Sequence, residues 1–438
     1  MGSSSFSIID GPIFGGDIDI YELNSPKIDK KKAESTSDGT STQRLVVVDI
    51  IRGFALMGLF LVHMMECYEL YWANPVRAPA IDAVFLLFMG KSFSLLALCF
   101  GFSFFILMDK AARRGRDFTR RFAWRLLILA AIGSLHALLY RGDVIQILAA
   151  LGFPLLIAHR IRSNWILIAL ALLCFLGPIH WAILLGAVSG ASWAQHLLRP
   201  VSDPAMHVYL TGGPRELLTA NLWLGQIPKW RFMLASGRLT QIMGFYLLGL
   251  VLGRIGFFGR LREFLVARRI AFGGAVSAAL LLHLLHGALA SWFAGFRFGE
   301  VADQAFAALL GGWADLAGTL VWALALLGAF QGPFRRLILP LANVGRATLS
   351  LYIGQSMVFV PVFYAFGLGL YDVWSPVMRL VVGLAAVVAQ LALAAWWFRH
   401  FNYGPLEWAW RALTYWRTDI AFRRIAREPS RVVHALSE

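Results

Sequence analysis

Charge is scarce in this 438-residue chain. Asp, Glu, Lys and Arg make up 15% of it, where soluble domains carry about 25%. A hydrophobic content of 58% and a mean hydropathy of +0.65 exclude an ordinary soluble fold. Cysteine is scarcer still. Cys67, Cys99 and Cys174 have no CxxC spacing, and the last two lie in apolar runs, so neither a disulfide framework nor a zinc site is expected. No P-loop, GxSxG or paired-cysteine signature occurs. No apolar core precedes residue 45, which argues against a signal peptide, and Phe6 in MGSSSF breaks the myristoylation pattern.

Long apolar runs are what the chain has in quantity. They predict an all-α, polytopic helical membrane protein with about ten transmembrane helices, near 45–64, 81–108, 122–140, 144–158, 165–190, 239–253, 270–290, 305–330, 344–366 and 377–398. The net charge of +15 would suit nucleic acid, but the basic residues sit in short loops between spans, so no nucleic-acid partner is expected. Alternate loops hold 23 and 7 Lys or Arg. By the positive-inside rule this bias puts both termini in the cytoplasm. Residues 1–43 read as a disordered cytoplasmic tail, and 44–400 as the membrane domain. Within it, 191–237 reads as an outer interfacial segment rich in Pro and Trp. Residues 401–438 read as a basic, amphipathic cytoplasmic tail, and GPLEWAWRALTYWR (404–417) as a helix lying on the inner leaflet.

The stretch RLVVVDIIRGFALMGLFLVH, Arg44 to His63, is just long enough to span and carries too many ionisable groups for an anchor. Asp49 and Arg52 are three apart on one helical face and can neutralise each other. His63 lies three turns beyond Arg52 on the same face and is suited to general-base work. Lys91, deep in the second span, should pair with a carboxylate or bind an anion, with Asp82 the nearest acid in sequence. His136 precedes Asp143 by seven residues across a turn. This is either an acid/base pair or an unrelated helix-end histidine and turn aspartate. Arg346 opens the ninth span, where it would hold a phosphate or serve as a basic anchor. His283 and His286 share a face without a third ligand type, which favours packing over metal.

Several of these segments together resemble the YeiB family of bacterial inner-membrane proteins, within the transmembrane acyltransferase superfamily. The resemblance runs from Arg44 to about Trp416. It rests on Arg44–His63, GKSFSLLALCFGFSF (90–104), GSLHALLYRGD (133–143), VGRATLSLYIGQS (344–356), FYAFGLGLY (363–371) and RHFNYGPLEWAWRALTY (399–415). It implies about ten spans in the inner membrane and transfer of an acyl group from cytoplasmic acyl-CoA to an acceptor hydroxyl or amine at the membrane or its outer face. Asp49, Arg52, Lys91, His136, Asp143, Arg346, Glu407 and Arg411 match family-type residues. His63 departs from many YeiB-like proteins, which have Asn there. It matches instead the related sugar O-acyltransferases, whose first span carries an Arg and, eleven residues on, a His. Leu148 also stands where relatives often have Tyr.

On this resemblance His63, His136, Asp143 and Lys91 are the expected catalytic group. Arg44, Asp49, Arg52 and Arg346 are expected to hold acyl-CoA. Membrane lipid and an acceptor of open identity are the other expected partners, and no metal is expected. The competing expectation is a transporter or flippase that uses buried Lys91, Asp82, Asp49 and Arg52 as a path.

Overall fold

Apolar runs punctuated by Gly and Pro fold here into helices that start and stop at those residues. A computed structural model describes residues 45–198 and 203–424. Among them the helices are α1 Val46–Met65, α2 Pro79–Phe88, α3 Lys91–Ala112, α4 Thr119–Leu139, α5 Ile145–Ala158, α6 Asn164–Phe175, α7 Pro178–Val188, α8 Ser192–Leu198, α9 Pro204–Thr211 and α10 Pro214–Leu222. They continue as α11 Gln226–Ala235, α12 Arg238–Arg254, α13 Leu265–Ala294, α14 Glu300–Gln331, α15 Arg335–Ile338, α16 Leu341–Arg346, α17 Thr348–Phe363, α18 Pro376–His400 and α19 Pro405–Tyr415. The described residues contain no strand, only an isolated bridge between Phe401 and Arg423. Six helices begin with proline, which costs nothing where the first N–H has no intrahelical partner.

Six helices are long and apolar enough to cross a membrane, and up to nine if each bent pair is one span. The expected ten is reached only if the shorter apolar run 144–158 also spans. The apolar run 144–158 forms a helix of 14 residues, about 21 Å long and short of the ~30 Å hydrocarbon core. Two predicted spans are broken, α6 and α7 meeting at 46° and α15–α16 and α17 at 81°, while the predicted span 239–253 is the continuous α12, which α11 meets at 66°. The run expected as a single second span is also interrupted. Met89 is extended and Gly90 sits at φ 77°, so Lys91 opens α3 instead of lying within a continuous helix. The described residues of the segment 191–237 fold into α8–α11, and α11 meets α12 as a bent pair.

Helix α1 is central. Of its most apolar stretch 83% is buried, against 11% for α13. Small residues bring its neighbours close, as they do where helices pack without a hydrophobic driving force. A methyl group at Gly53 would lie 2.0 Å from the Leu341 carbonyl oxygen, and one at Gly345 would lie 1.8 Å from the Asp49 carbonyl oxygen. Thus α16 runs against the backbone of α1. Helices α3 and α12 cross in the same way, since a Cβ at Gly101 would meet Tyr246 O at 2.2 Å and one at Gly249 would meet Leu98 O at 2.3 Å. Phe93 lies by Arg238 and Phe105 by Gly253, so the two helices run parallel with their N-termini at one end.

Candidate active site around two buried histidines

The polar stripe of α1 has two ends. Asp49 and His63 are fourteen residues apart, about 21 Å along the axis. At the first end Arg52 Nη1 lies 3.5 Å from Asp49 Oδ1, and its Nη2 donates to the Ser103 hydroxyl and, at 3.5 Å, to the Cys99 carbonyl. Arg346 closes α16 with its guanidinium 3.7 Å above the Phe398 ring, and it donates to Asn343 and to the Asn402 carbonyl. Glu407, at the start of α19, accepts from the Leu349 amide at 2.7 Å and the Ser350 amide at 3.2 Å, capping α17 just beyond the bend. Burial pushes its carboxyl above the ordinary range, and the Ser350 and Leu349 donors pull against that. Arg44 lies outside the described residues.

At the other end two histidines from different helices share two tyrosine neighbours, Tyr140 and Tyr352. His63 on α1 and His136 on α4 are 7% and 5% exposed. His136 Nδ1 lies 2.7 Å from Asp143 Oδ1, and the other carboxylate oxygen accepts the Gln146 amide at 2.9 Å. Asp143 thereby selects the tautomer with hydrogen on Nδ1 and leaves a lone pair on Nε2. Tyr140 places its hydroxyl 3.1 Å from His63 Nδ1, and Glu66 Oε2 lies 3.5 Å from the same nitrogen. Tyr352 of α17 accepts the Val144 amide at 3.1 Å and packs its ring 5.2 Å from His136 and 6.4 Å from His63. The Nε2 atoms of both histidines are buried with no hydrogen-bond partner among the described residues. Such an atom loses about 1–3 kcal/mol of solvation.

The shell around this pair is charged and tightly built. Three successive residues, Cys67, Tyr68 and Glu69, have left-handed backbones at φ 47°, 52° and 82°. This strained turn after α1 sets Tyr68 5.4 Å from the His63 ring and 5.0 Å from the Tyr140 ring. Glu69 and Asp203 both bind Arg141, whose guanidinium also lies over Tyr209. Buried Lys229 donates to the Gln146 side chain, so α11 bears on the residue that braces Asp143.

Among the expected catalytic residues, His63, His136 and Asp143 are therefore gathered in one place. Lys91 is not in contact with them. Its ammonium is held by Asp315 of α14 at 2.6 Å and by the Met89 carbonyl at 3.0 Å, not by Asp82. Asp49, Arg52 and Arg346 sit at the opposite end of the polar stripe. His286 Nε2 donates to the Ala307 carbonyl, 3.2 Å away. Tyr140 was legible four residues after His136, on the same helical face. Tyr352, Lys229 and Asp315 come from helices far along the chain, and no local pattern marks them.

Residues 252–417 match a family described as a protein of unknown function, DUF418. Similarity to individual proteins runs through nearly the whole membrane domain. The chain is 25% identical over 403 residues to the uncharacterized protein YxaH of Bacillus subtilis, covering 86% of this chain and 95% of that one. It is 26% identical over 385 residues to an uncharacterized 39.9 kDa protein from the amylase 3′ region of Bacillus acidopullulyticus, covering 85% and 94%. To the uncharacterized protein YeiB of Escherichia coli it is 27% identical over 396 residues, covering 85% and 96%. The chain is thus similar, over most of its length, to YxaH- and YeiB-like proteins.

Proposed function

We propose that the protein is an acyl-CoA-dependent acyltransferase of the bacterial inner membrane, with ten spans and both termini in the cytoplasm. The observation that carries this reading is the His136–Asp143 dyad, which shares Tyr140 and Tyr352 with His63, with the Nε2 atoms of both histidines buried and without a hydrogen-bond partner among the described residues. An Nε2 lone pair backed by a carboxylate can serve as a general base. It takes the proton from an acceptor hydroxyl or amine as that atom bonds to the thioester carbonyl carbon. Collapse of the tetrahedral intermediate breaks the C–S bond, and the thiolate of CoA recovers the proton from the imidazolium. The Tyr352 hydroxyl, which already accepts from Val144, keeps its own hydrogen to donate to the oxyanion. Asp49, Arg52 and Arg346 would bind the anionic end of the donor on the cytoplasmic side.

The test is transfer from labelled acetyl-CoA by the purified protein in nanodiscs. Loss of transfer in both His136→Ala and His63→Ala, with folding retained, supports the reading. Unchanged transfer in both removes the histidines from the mechanism. A transporter is the second reading, favoured by the three bent helix pairs, since discontinuous helices line transport sites. Substrate flux into vesicles without CoA would select it.

A further inference from the structure

We propose that Arg238, at the N-terminal end of α12 against the first turn of α3, forms an oxyanion-binding site that recognises a phosphate or carboxylate. Arg238 is held by aromatic faces, its guanidinium carbon 5.1 Å from the Phe93 ring centre and 4.7 Å from that of Phe232. No described residue forms an ion pair or hydrogen bond with it. A ring on a guanidinium face fixes its plane and leaves the N–H edge free, the geometry that binds oxyanions bidentately. The nearest acids are already engaged. Asp315 and Glu66 act on Arg238 through their charge. Asp315, however, is bound to Lys91 at 2.6 Å, and Glu66 accepts from Trp72 and faces His63.

An arginine among apolar rings in a membrane domain is costly without a directly bound counter-charge. A bound oxyanion supplies one. The backbone adds to this. Gly90 at φ 77° and Gly237 at φ 65° interrupt two spans that run parallel, and the helices that follow open with Lys91 and Arg238 and have no side-chain cap. Interrupted helices in the two halves of a membrane protein mark where a polar solute is held. Asp315, with 29% of its side chain exposed, sets the charge of the site: it neutralises Lys91 and leaves Arg238 as the positive group. The acyl-transfer reading does not enter these contacts, and the site stands or falls apart from it.

The experiment is thermal-shift titration with inorganic phosphate, at ionic strength matched with chloride, of the full chain in phosphatidylcholine nanodiscs. A parallel arm replaces part of the lipid with phosphatidylglycerol and adds no phosphate. Saturable stabilisation by phosphate, weakened at least tenfold in Arg238→Gln, supports a soluble anion as ligand. Stabilisation in the lipid arm alone, abolished by the same substitution, supports a lipid headgroup. Asp315→Asn frees the Lys91 ammonium and is expected to tighten phosphate binding, an outcome that loss of packing does not produce. Should Arg238→Gln fail to fold, Arg238→Lys decides: it keeps the charge and loses the fork, and its phosphate binding is expected to weaken several-fold. Equal phosphate response in wild type and a folded Arg238 variant, or no response in either arm, overturns the proposal.

Discussion

At the scale of single residues, the contact between His136 and Asp143 organises the candidate site. Asp143→Asn keeps the shape but offers an amide donor or acceptor in place of a carboxylate, so the tautomer preference is lost. Transfer activity is expected to fall by roughly 10²–10⁴-fold, the usual worth of positioned acid–base groups, while thermal stability changes little. Retention of activity in that variant would leave Asp143 a turn residue only. Tyr352→Phe removes the acceptor of the half-buried Val144 amide. The expected loss is about 1–3 kcal/mol of stability, read as a lowered Tm in detergent. The left-handed run Cys67–Glu69 adds a third handle. Glu69→Gly would relieve its strain yet unpair Arg141, which Asp203 alone would then hold.

At the scale of elements, the close crossings decide which side chains face one another. Gly101 leaves no room for a Cβ beside the Tyr246 carbonyl. Gly101→Val is therefore expected to cost about 3 kcal/mol or more through overpacking, seen as loss of the monodisperse peak in size-exclusion of solubilised protein. The same change at Gly311, where no atom lies within 4 Å, should be tolerated. If both variants behave alike, the α3–α12 crossing is not what holds this part of the domain together. Bends matter as much as crossings. The 81° turn before α17 is clasped by Glu407 from α19, so the aromatic C-terminal helix braces a broken span as well as suiting an interface. Trp410 supports the same arrangement, with Arg125 3.6 Å over its ring and its Nε1 donating to the Arg125 carbonyl.

At the scale of the whole molecule, ten helical runs and a strong loop-charge bias suggest both termini inside. A reporter that fluoresces only in the cytoplasm, fused to either end, is expected to be bright. A periplasm-dependent phosphatase fused at the same points is expected to be inactive. The reverse pattern at one end would demand an odd span count, and the 14-residue α5 is the first candidate to lose its place as a span. Orientation also gives the polar stripe of α1 its meaning. With Asp49 and Arg52 inside, the two ends of one helix would face the donor and the acceptor across about 21 Å.

What the sequence alone determined is the class and much of the layout. Its shortage of charge and its long apolar runs favour helices long and apolar enough to cross a membrane, where a helix satisfies its own backbone groups. The spacing of Asp49, Arg52 and His63 put a polar stripe on α1, since helical period is a local property. Tertiary structure alone decided which polar groups meet. Lys91 reads as a lone charge within a span until Gly90 breaks the helix and Asp315, over two hundred residues later, reaches it. His136 and Asp143 leave two readings open until the turn between them closes. Arg238 shows no purpose in sequence until two broken helices bring their first turns together. Pairing across helices depends on crossings set by small residues and on bends set by glycine, and neither leaves a periodic trace in the chain.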